Sequence, residues 1–216
     1  MLQKLSEEKL NELLECGISE FAEHGMSAGM SSIARRAGTS VGVIYKYYED
    51  KEDFFLACVR HSLSALETRL MHITQKRDKP LHYARALIST LQYFASEHSD
   101  YIRMYHRITE GSEQAPRLAA EIEGFTSRLY SDFISAAQKA GDIRQDIDPG
   151  LFAFFFDNLL MMLQFSYCCP YYKERFKIYG GSDILENNEL VTDQLLKFIE
   201  SAFTFEQADI THRNGE

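Results

Sequence analysis

Apolar residues recur along this chain at helical spacing. Leu10, Leu13, Leu14, Gly17, Ile18 and Phe21 fall at i, i+3, i+4, i+7, i+8 and i+11, which draws one stripe along a first helix. Gly25 in "EHG" breaks it. Ile33, Ala34 and Ala37 share a face of a short second helix that Gly38 ends. Ser40 is placed to cap a third helix running to about Tyr48, and Asp50 a long fourth with Phe54, Cys58, Leu63, Leu66, Leu70 and Ile73 inside. Pro80 suits the first turn of a helix reaching about Ser96. "SDYIRMYHRITEG" reads as a short helix closed by Gly111, followed by a long helix over residues 115–140. "GDIRQDIDPG" is a turn, and Pro149 opens a helix to Tyr167 that is apolar almost all round, so both faces should be buried. "GGSDILENN" is a loop, and a last helix spans Glu189 to about Phe205. Strand alternation and internal repeats are absent, so the expected fold class is all-α.

The stretch "SSIARRAGTSVGVIYKYYEDKEDFF" poses the functional question. At 100° per residue, Ile44 and Tyr48 share one face of the third helix, flanked by Val41 and Tyr45. Gly42, Val43, Lys46 and Tyr47 form the other. The first face can pack on Ile33 and Ala37. The second offers methyl groups, a bare backbone, a phenol and an ammonium, with nothing obvious to cover them. Such groups suit a DNA major groove: methyls meet thymine methyls, lysine reaches guanine or phosphate, and tyrosine hydroxyls reach phosphates. Two short helices joined by a glycine turn are the helix-turn-helix arrangement, with the second helix as reader. Packed helices also carry tyrosines, so periodicity alone leaves a purely structural reading open.

Charge changes the picture only locally. The 216-residue chain carries a net charge of −9, which argues against nonspecific nucleic-acid binding. Between Gly29 and Lys51, however, the cations are Arg35, Arg36, Lys46 and Lys51 against Glu49 and Asp50 alone. This is a mildly basic patch on an acidic protein. Cys16, Cys58, Cys168 and Cys169 show neither CxxC nor metal-ligand spacing and read as reduced structural thiols. The N-terminus "MLQKLSEEKL" does not resemble a secretory signal. The longest apolar run, "LFAFFFDNLLMMLQF", is broken by Asp157 and Asn158 and reads as too short and too polar to span a membrane. A cytoplasmic location is expected.

Ile33, Ala34, Ala37, Gly38, Ser40, Gly42, Ile44, Tyr45, Tyr47, Lys51, Glu52 and Phe54 stand at the spacing of the DNA-binding signature of TetR-family transcriptional regulators, which this chain resembles. "FAEHG" is similar to the end of the family's first helix, and the resemblance is close over about residues 5–60. It returns at "GDIRQDIDP". It implies a DNA-binding domain over residues 1–50 and a larger helical ligand-sensing and dimerisation domain over 51–210. It implies base or near-base contacts from Val41, Gly42, Val43, Tyr45 and Lys46, and phosphate contacts from Ser40, Tyr47 and Lys51, with Ser31 and Arg35 as further candidates. Ile44 and Tyr48 are expected in the core. Gly29 stands where the family usually has Thr, Val41 where it often has Lys, and Tyr48 where it usually has Phe. The first two departures remove polar phosphate contacts. Modest affinity and a shallow salt dependence follow, each lost contact lowering the log–log slope by about 0.9.

The resemblance further implies a homodimer on a palindromic operator, joined through the last two helices. Leu159, Leu160, Met162 and Leu163, with Val191, Leu195, Ile199 and Ala202, are the expected interface, although a buried core helix would read alike. Tyr93, Met104, Tyr105, Ile108, Phe125, Leu129 and Phe155, with Asn158 and Gln164 as polar anchors, are the candidate lining of an effector pocket. Ordinary core packing explains the same aromatics. A lipophilic or aromatic effector releasing a repressor is the expected function, with no cofactor. Two alternatives remain: a structural helical dimer with a degenerate reader, and a small helical enzyme. The seven histidines lack HxxxH or HExxH spacing, and no facing ExxH pairs occur, which weighs against the enzyme.

Overall fold

The computed structural model describes residues 5–74, 79–109 and 115–204, with the side chains of residues 74, 108, 109, 115–118, 120, 121 and 204 also outside the description. Ten α-helices and two single-turn 3₁₀ segments account for the regular structure there, and no strand occurs among the described residues. Helix α1 spans Glu7–His24, α2 Met30–Arg36, α3 Val41–Ile44 and α4 Lys51–Thr74. Then come α5 (Pro80–Glu97), α6 (Ser99–Thr109), α7 (Ala115–Ala140), α8 (Pro149–Cys168), α9 (Pro170–Gly180) and α10 (Asn188–Thr204).

The caps explain the boundaries. Ser6 accepts from Lys9 N–H at the start of α1, and Gly25 ends that helix at φ +54. Asp50 accepts from Asp53 N–H at 2.8 Å, and Asp53 reaches back to Glu49 N–H at 3.0 Å, so α4 starts on a reciprocal pair of acids. Asp148 caps α8 through Leu151 N–H, with Pro149 in the first turn. In the "GDIRQDIDPG" turn, Gln138 Nε2 donates to the carbonyls of Arg144 and Ile147, which ties the turn back onto α7.

Three expectations change. Helix α3 is regular only over four residues; beyond Ile44 the chain tightens into turns, with Lys46 N–H on Val43 and Tyr47 N–H on Ile44. Residues 170–180 form a helix that the apolar pattern did not disclose. None of its residues is fully buried, Tyr172 and Phe176 being only half-covered against the core, and Pro170 stands at its first turn. The expected loop at 180–188 holds a 3₁₀ turn, Ile184–Glu186. The expected end at Gly111 and the residue Phe205 lie outside the described residues.

Helix α8 is the centre of the molecule, packed by α5, α6, α7 and α9. By length and apolar composition alone it could cross a bilayer, contrary to the expectation that it is too short. Its neighbours instead make it a core helix with one uncovered side. A buried polar set joins α5, α8 and α10: Gln92 Nε2 donates to Tyr167 Oη at 3.1 Å, and Thr192 Oγ1 donates to Gln92 Oε1 at 3.0 Å. Helix α4 packs on α1 at one end and on α5 and α6 further along, so a boundary at 50/51 would fall at the start of a helix shared by both halves.

Candidate nucleic-acid interface and effector cavity

The short helices are set by one buried frame. Phe21, Ile33, Ile44, Phe54 and Cys58 are fully buried and join α1, α2, α3 and α4. Gly38 has φ +61, its N–H bonds to Arg35 and the Thr39 N–H to Ala34, so α2 ends on the paired 5→2 and 6→1 bonds of a Schellman turn. A side-chain clamp adds to the backbone. Glu20 of α1, itself buried, accepts from Ser32 Oγ at 2.6 Å and from Arg36 Nη1 at 3.3 Å. The Ser32 hydrogen bond first, then Arg36, holds the Glu20 carboxyl below its usual range. Sequence reading missed this clamp, because nothing in the spacing marks residues 12 and 16 positions apart as partners.

Ile44 is fully buried, and the half-buried Tyr48 ring sits edge-on to Phe54 at 4.9 Å. Both are core, as expected. Ser31, Arg35, Ser40, Gly42, Tyr45 and Lys46 are exposed, while Val41 and Val43 are half-covered. Tyr45 keeps 45% of its surface. Ser40 has the extended N-cap backbone but makes no side-chain cap bond, so its hydroxyl stays available. The first amide bond of α3 runs from Val43 N–H to Ser40, leaving the amides of Val41 and Gly42 at the open helix end. Two expected phosphate groups are engaged within the chain. Tyr47 Oη accepts from Leu5 N–H at 2.5 Å, and Lys51 Nζ donates to the Met26 carbonyl at 2.5 Å. Gly29 caps α2 with backbone alone.

The candidate effector residues do not all converge. Met104, Tyr105 and Gln164 line a cavity of about 80 Å³ between α4, α5, α6, α7 and α8. Tyr105 and Asn158 line an adjoining space of about 340 Å³. Both share Tyr105, Glu123, Thr126, Asp157 and Met161. Tyr93 is 56% exposed and lies on a separate surface groove with Arg69, His72 and His82. Phe155 is 61% exposed and lines neither space. Phe125 and Leu129 pack against the core outside both linings. The Ile108 side chain lies outside the described residues. Asn158 donates one amide hydrogen to Phe154 O within its own helix and keeps its second hydrogen and its carbonyl as anchors. The acids of the cavity, Glu123 and Asp157, were not foreseen, although a carboxylate in a helix apolar all round was the available signal. Tyr105 Oη donates to Glu123 Oε1 at 2.6 Å. Burial first, then Glu123, pushes the Asp157 carboxyl up to about 7.

The interface residues divide as well. Leu160, Leu163, Val191 and Ile199 are buried within the protomer and are core. Leu159 and Met162 are exposed, and Leu195 and Ala202 are half-covered. The uncovered apolar face is instead drawn by Leu151, Phe154, Phe155, Leu159 and Met162 of α8, with Leu190 and Phe198 of α10. A helix apolar on every side gives no rotational signal, so its outward face could not be chosen from sequence.

All four cysteines are free. Burial raises the thiols of Cys58 and Cys168, the latter to about 12, so neither is an activated nucleophile. Among the described residues no group of three or more His, Cys, Asp or Glu is placed to hold a metal.

A reader helix on a Schellman turn, followed by a larger helical body, defines a helix-turn-helix protein of the all-α class. Residues 13–58 match the family described as bacterial regulatory proteins, tetR family. The acrEF/envCD operon repressor of Escherichia coli K12 is 28% identical over 144 residues, covering 63% of this chain and 66% of that protein. The match thus spans just under two thirds of that relative. The regulator BetI of Pectobacterium atrosepticum is 23% identical over 81% of this chain and 77% of its own. Among solved structures, FadR from Bacillus subtilis in complex with stearoyl-CoA superposes with a TM-score of 0.70 at 15% identity, covering 87% of this chain and 97% of that one. The ketosteroid regulator KstR2 of Mycobacterium tuberculosis gives 0.65 at 22% identity, covering 94% and 98%. Likeness at these identities establishes the common fold.

Proposed function

We propose that the chain is a sequence-specific transcriptional regulator, a homodimeric repressor that a small apolar or aromatic effector releases from a palindromic operator. The observation that carries this reading is the exposed face around α3, where Tyr45 and Lys46 are open to solvent beside a fully buried Ile44. Val41, Gly42 and Val43 complete the base-facing surface, and Ser31, Arg35 and Ser40 border it. Lys51 and Tyr47 would reach phosphates only by exchanging or sharing their present partners, which supports modest affinity.

One reading helix is too small for specificity, and a two-fold partner would set two of them about 34–36 Å apart. The uncovered apolar face of α8 and α10 supplies a surface for that partner. Coupling to an effector has a physical route. Helix α6 lines the cavity with Tyr101, Ile102, Met104 and Tyr105, and the Tyr101 hydroxyl donates to Glu15 of α1. His61 of α4 meets the same Glu15 oxygen at 3.0 Å. A ligand that favours another packing of α6 or α4 therefore shifts α1, and the reader with it.

The test is a mobility shift against DNA upstream of the protein's own coding sequence, at low salt. Retarded palindromic fragments, released by apolar metabolites, are expected; no shift with any palindrome would defeat the regulator reading.

A further inference from the structure

Two acceptors in the cavity, the Asp157 carboxylate and Gln164 Oε1, have no hydrogen-bond donor among the described residues. Asp157 and Gln164 lie at i and i+7 on one face of α8, about 10 Å apart along the axis, with Met161 between them. Glu123 of α7 stands beside Asp157 and already holds the Tyr105 hydroxyl. Gln164 Oε1 is buried and has no partner, its Nε2 being turned to Leu160 O at 3.4 Å. No hydrogen bond reaches the Asp157 carboxylate among the described residues, and those lining both spaces include no lysine, arginine or histidine. The remaining wall is apolar and aromatic, with Leu63, Leu66, Phe94 and Phe165 prominent.

Resting on the regulator reading above, we propose that the effector is a lipophilic cation, a protonated amine on a compact aromatic or aliphatic body. Its charge sits between Glu123 and Asp157, and its body lies along Met161 towards Phe165. A donor at the far end would satisfy Gln164 Oε1. The same groups disfavour an anion, since two carboxylates with no cation beside them among the described lining residues repel it in a medium of low permittivity. This separates the chain from its structural neighbour solved with stearoyl-CoA, whose phosphates carry negative charge. The raised Asp157 carboxyl fits: a buried acid beside a second acid gives up its proton most readily when a cation arrives. Groups facing Asp157 are Glu123 and Tyr130 of α7 and Tyr105 of α6, all acidic or neutral.

Three probes of one shape and different charge decide the matter: 1-naphthylmethylamine, 1-naphthalenemethanol and 1-naphthoate, titrated calorimetrically into the full chain at pH 7.5. The amine is expected to bind at least about ten-fold more tightly than the alcohol, and the naphthoate not measurably, ten-fold being about 1.4 kcal/mol. Asp157→Asn and Glu123→Gln should each reduce the preference for the amine while keeping alcohol binding, with thermal unfolding confirming that both fold. Equal binding of naphthoate, an undiminished preference in both variants, or no binding of the amine at millimolar concentration overturns the proposal. The mobility shift is scored separately. Amine binding without operator release defeats the effector reading and leaves the cavity's charge selectivity standing.

Discussion

Gly17 of α1 lies directly against the ring of Phe54 of α4: a Cβ at this position would meet ring carbons at 2.6 and 2.7 Å and Cys58 Sγ at 2.7 Å. The contact sets how closely α1 approaches α4, and Phe54 also carries the Tyr48 ring behind the reader. Gly17→Ala should therefore destabilise the fold by about 1–3 kcal/mol through overpacking, lowering the thermal midpoint. It should also weaken operator binding more than global unfolding accounts for, because Tyr48 and Ile44 shift with Phe54. An unchanged midpoint would show that the helices separate without cost.

At the reader, Tyr45→Ala and Lys46→Ala remove exposed side chains that lie outside the hydrophobic core. Each is expected to cost about 1–3 kcal/mol in specific binding if it meets a base, with the circular dichroism spectrum and midpoint unchanged. Lys51→Ala differs, since it also releases the Met26 carbonyl: it should lower both stability and affinity. Loss of fold in the first two variants would mean that they pack rather than read.

Much of this was legible in the sequence, and the omissions share a cause. The stripe through Leu13, Ile18 and Phe21 and the breakers at Gly25 and Gly38 place α1 and α2 because one face of each is apolar and the other is not. The same logic separated Ile44 from Lys46. It fails where a helix has no contrast. Helix α8 is apolar on all sides, so Leu160 and Leu163 could not be told from Phe154 and Phe155. Helix α9 only half-buries Tyr172 and Phe176 and exposes Tyr171, Ile178 and Tyr179, so its apolar side has little contrast. Long-range polar partners, Glu20 with Ser32 and Tyr105 with Glu123, leave no periodic trace; only the fold brings them together.

The Glu20 clamp makes a pH prediction. Its carboxyl is held below the ordinary value, so it stabilises the fold above the unfolded carboxyl's range and loses that contribution as pH falls through its folded value. Ser32→Ala removes the first cause of the depression. Acid unfolding of that variant, followed by far-ultraviolet circular dichroism, should begin at a higher pH than in the parent. Coincident acid transitions would mean that the clamp is unimportant to stability.

The proposed dimer face is tested by charge. Phe198 of α10 is 61% exposed in the protomer, and burying such a side chain against a partner contributes about 1.5–3 kcal/mol per copy. Phe198→Glu and Phe155→Glu should each shift a sedimenting dimer towards monomer without unfolding it, and operator binding should fall in parallel. A parent protein that sediments as a monomer at micromolar concentration removes the homodimer from the reading.

Asp157 gives the last prediction, opposite in sign to Glu20. Burial and Glu123 raise its carboxyl from 3.8 to about 7, so between those values the folded state holds a proton that the unfolded chain has released. Stability from this group therefore falls as pH rises through that window and levels off above it. At about 1.4 kcal/mol per pH unit, the full displacement is worth up to roughly 4 kcal/mol. Asp157→Asn carries no such term. Its thermal midpoint relative to the parent should climb from pH 5 to pH 7 and stay constant from pH 8, several degrees above the parent. A difference that is flat across pH would mean the carboxyl titrates as in water. A midpoint below the parent at pH 8 would mean that the ionised acid already has a counter-ion.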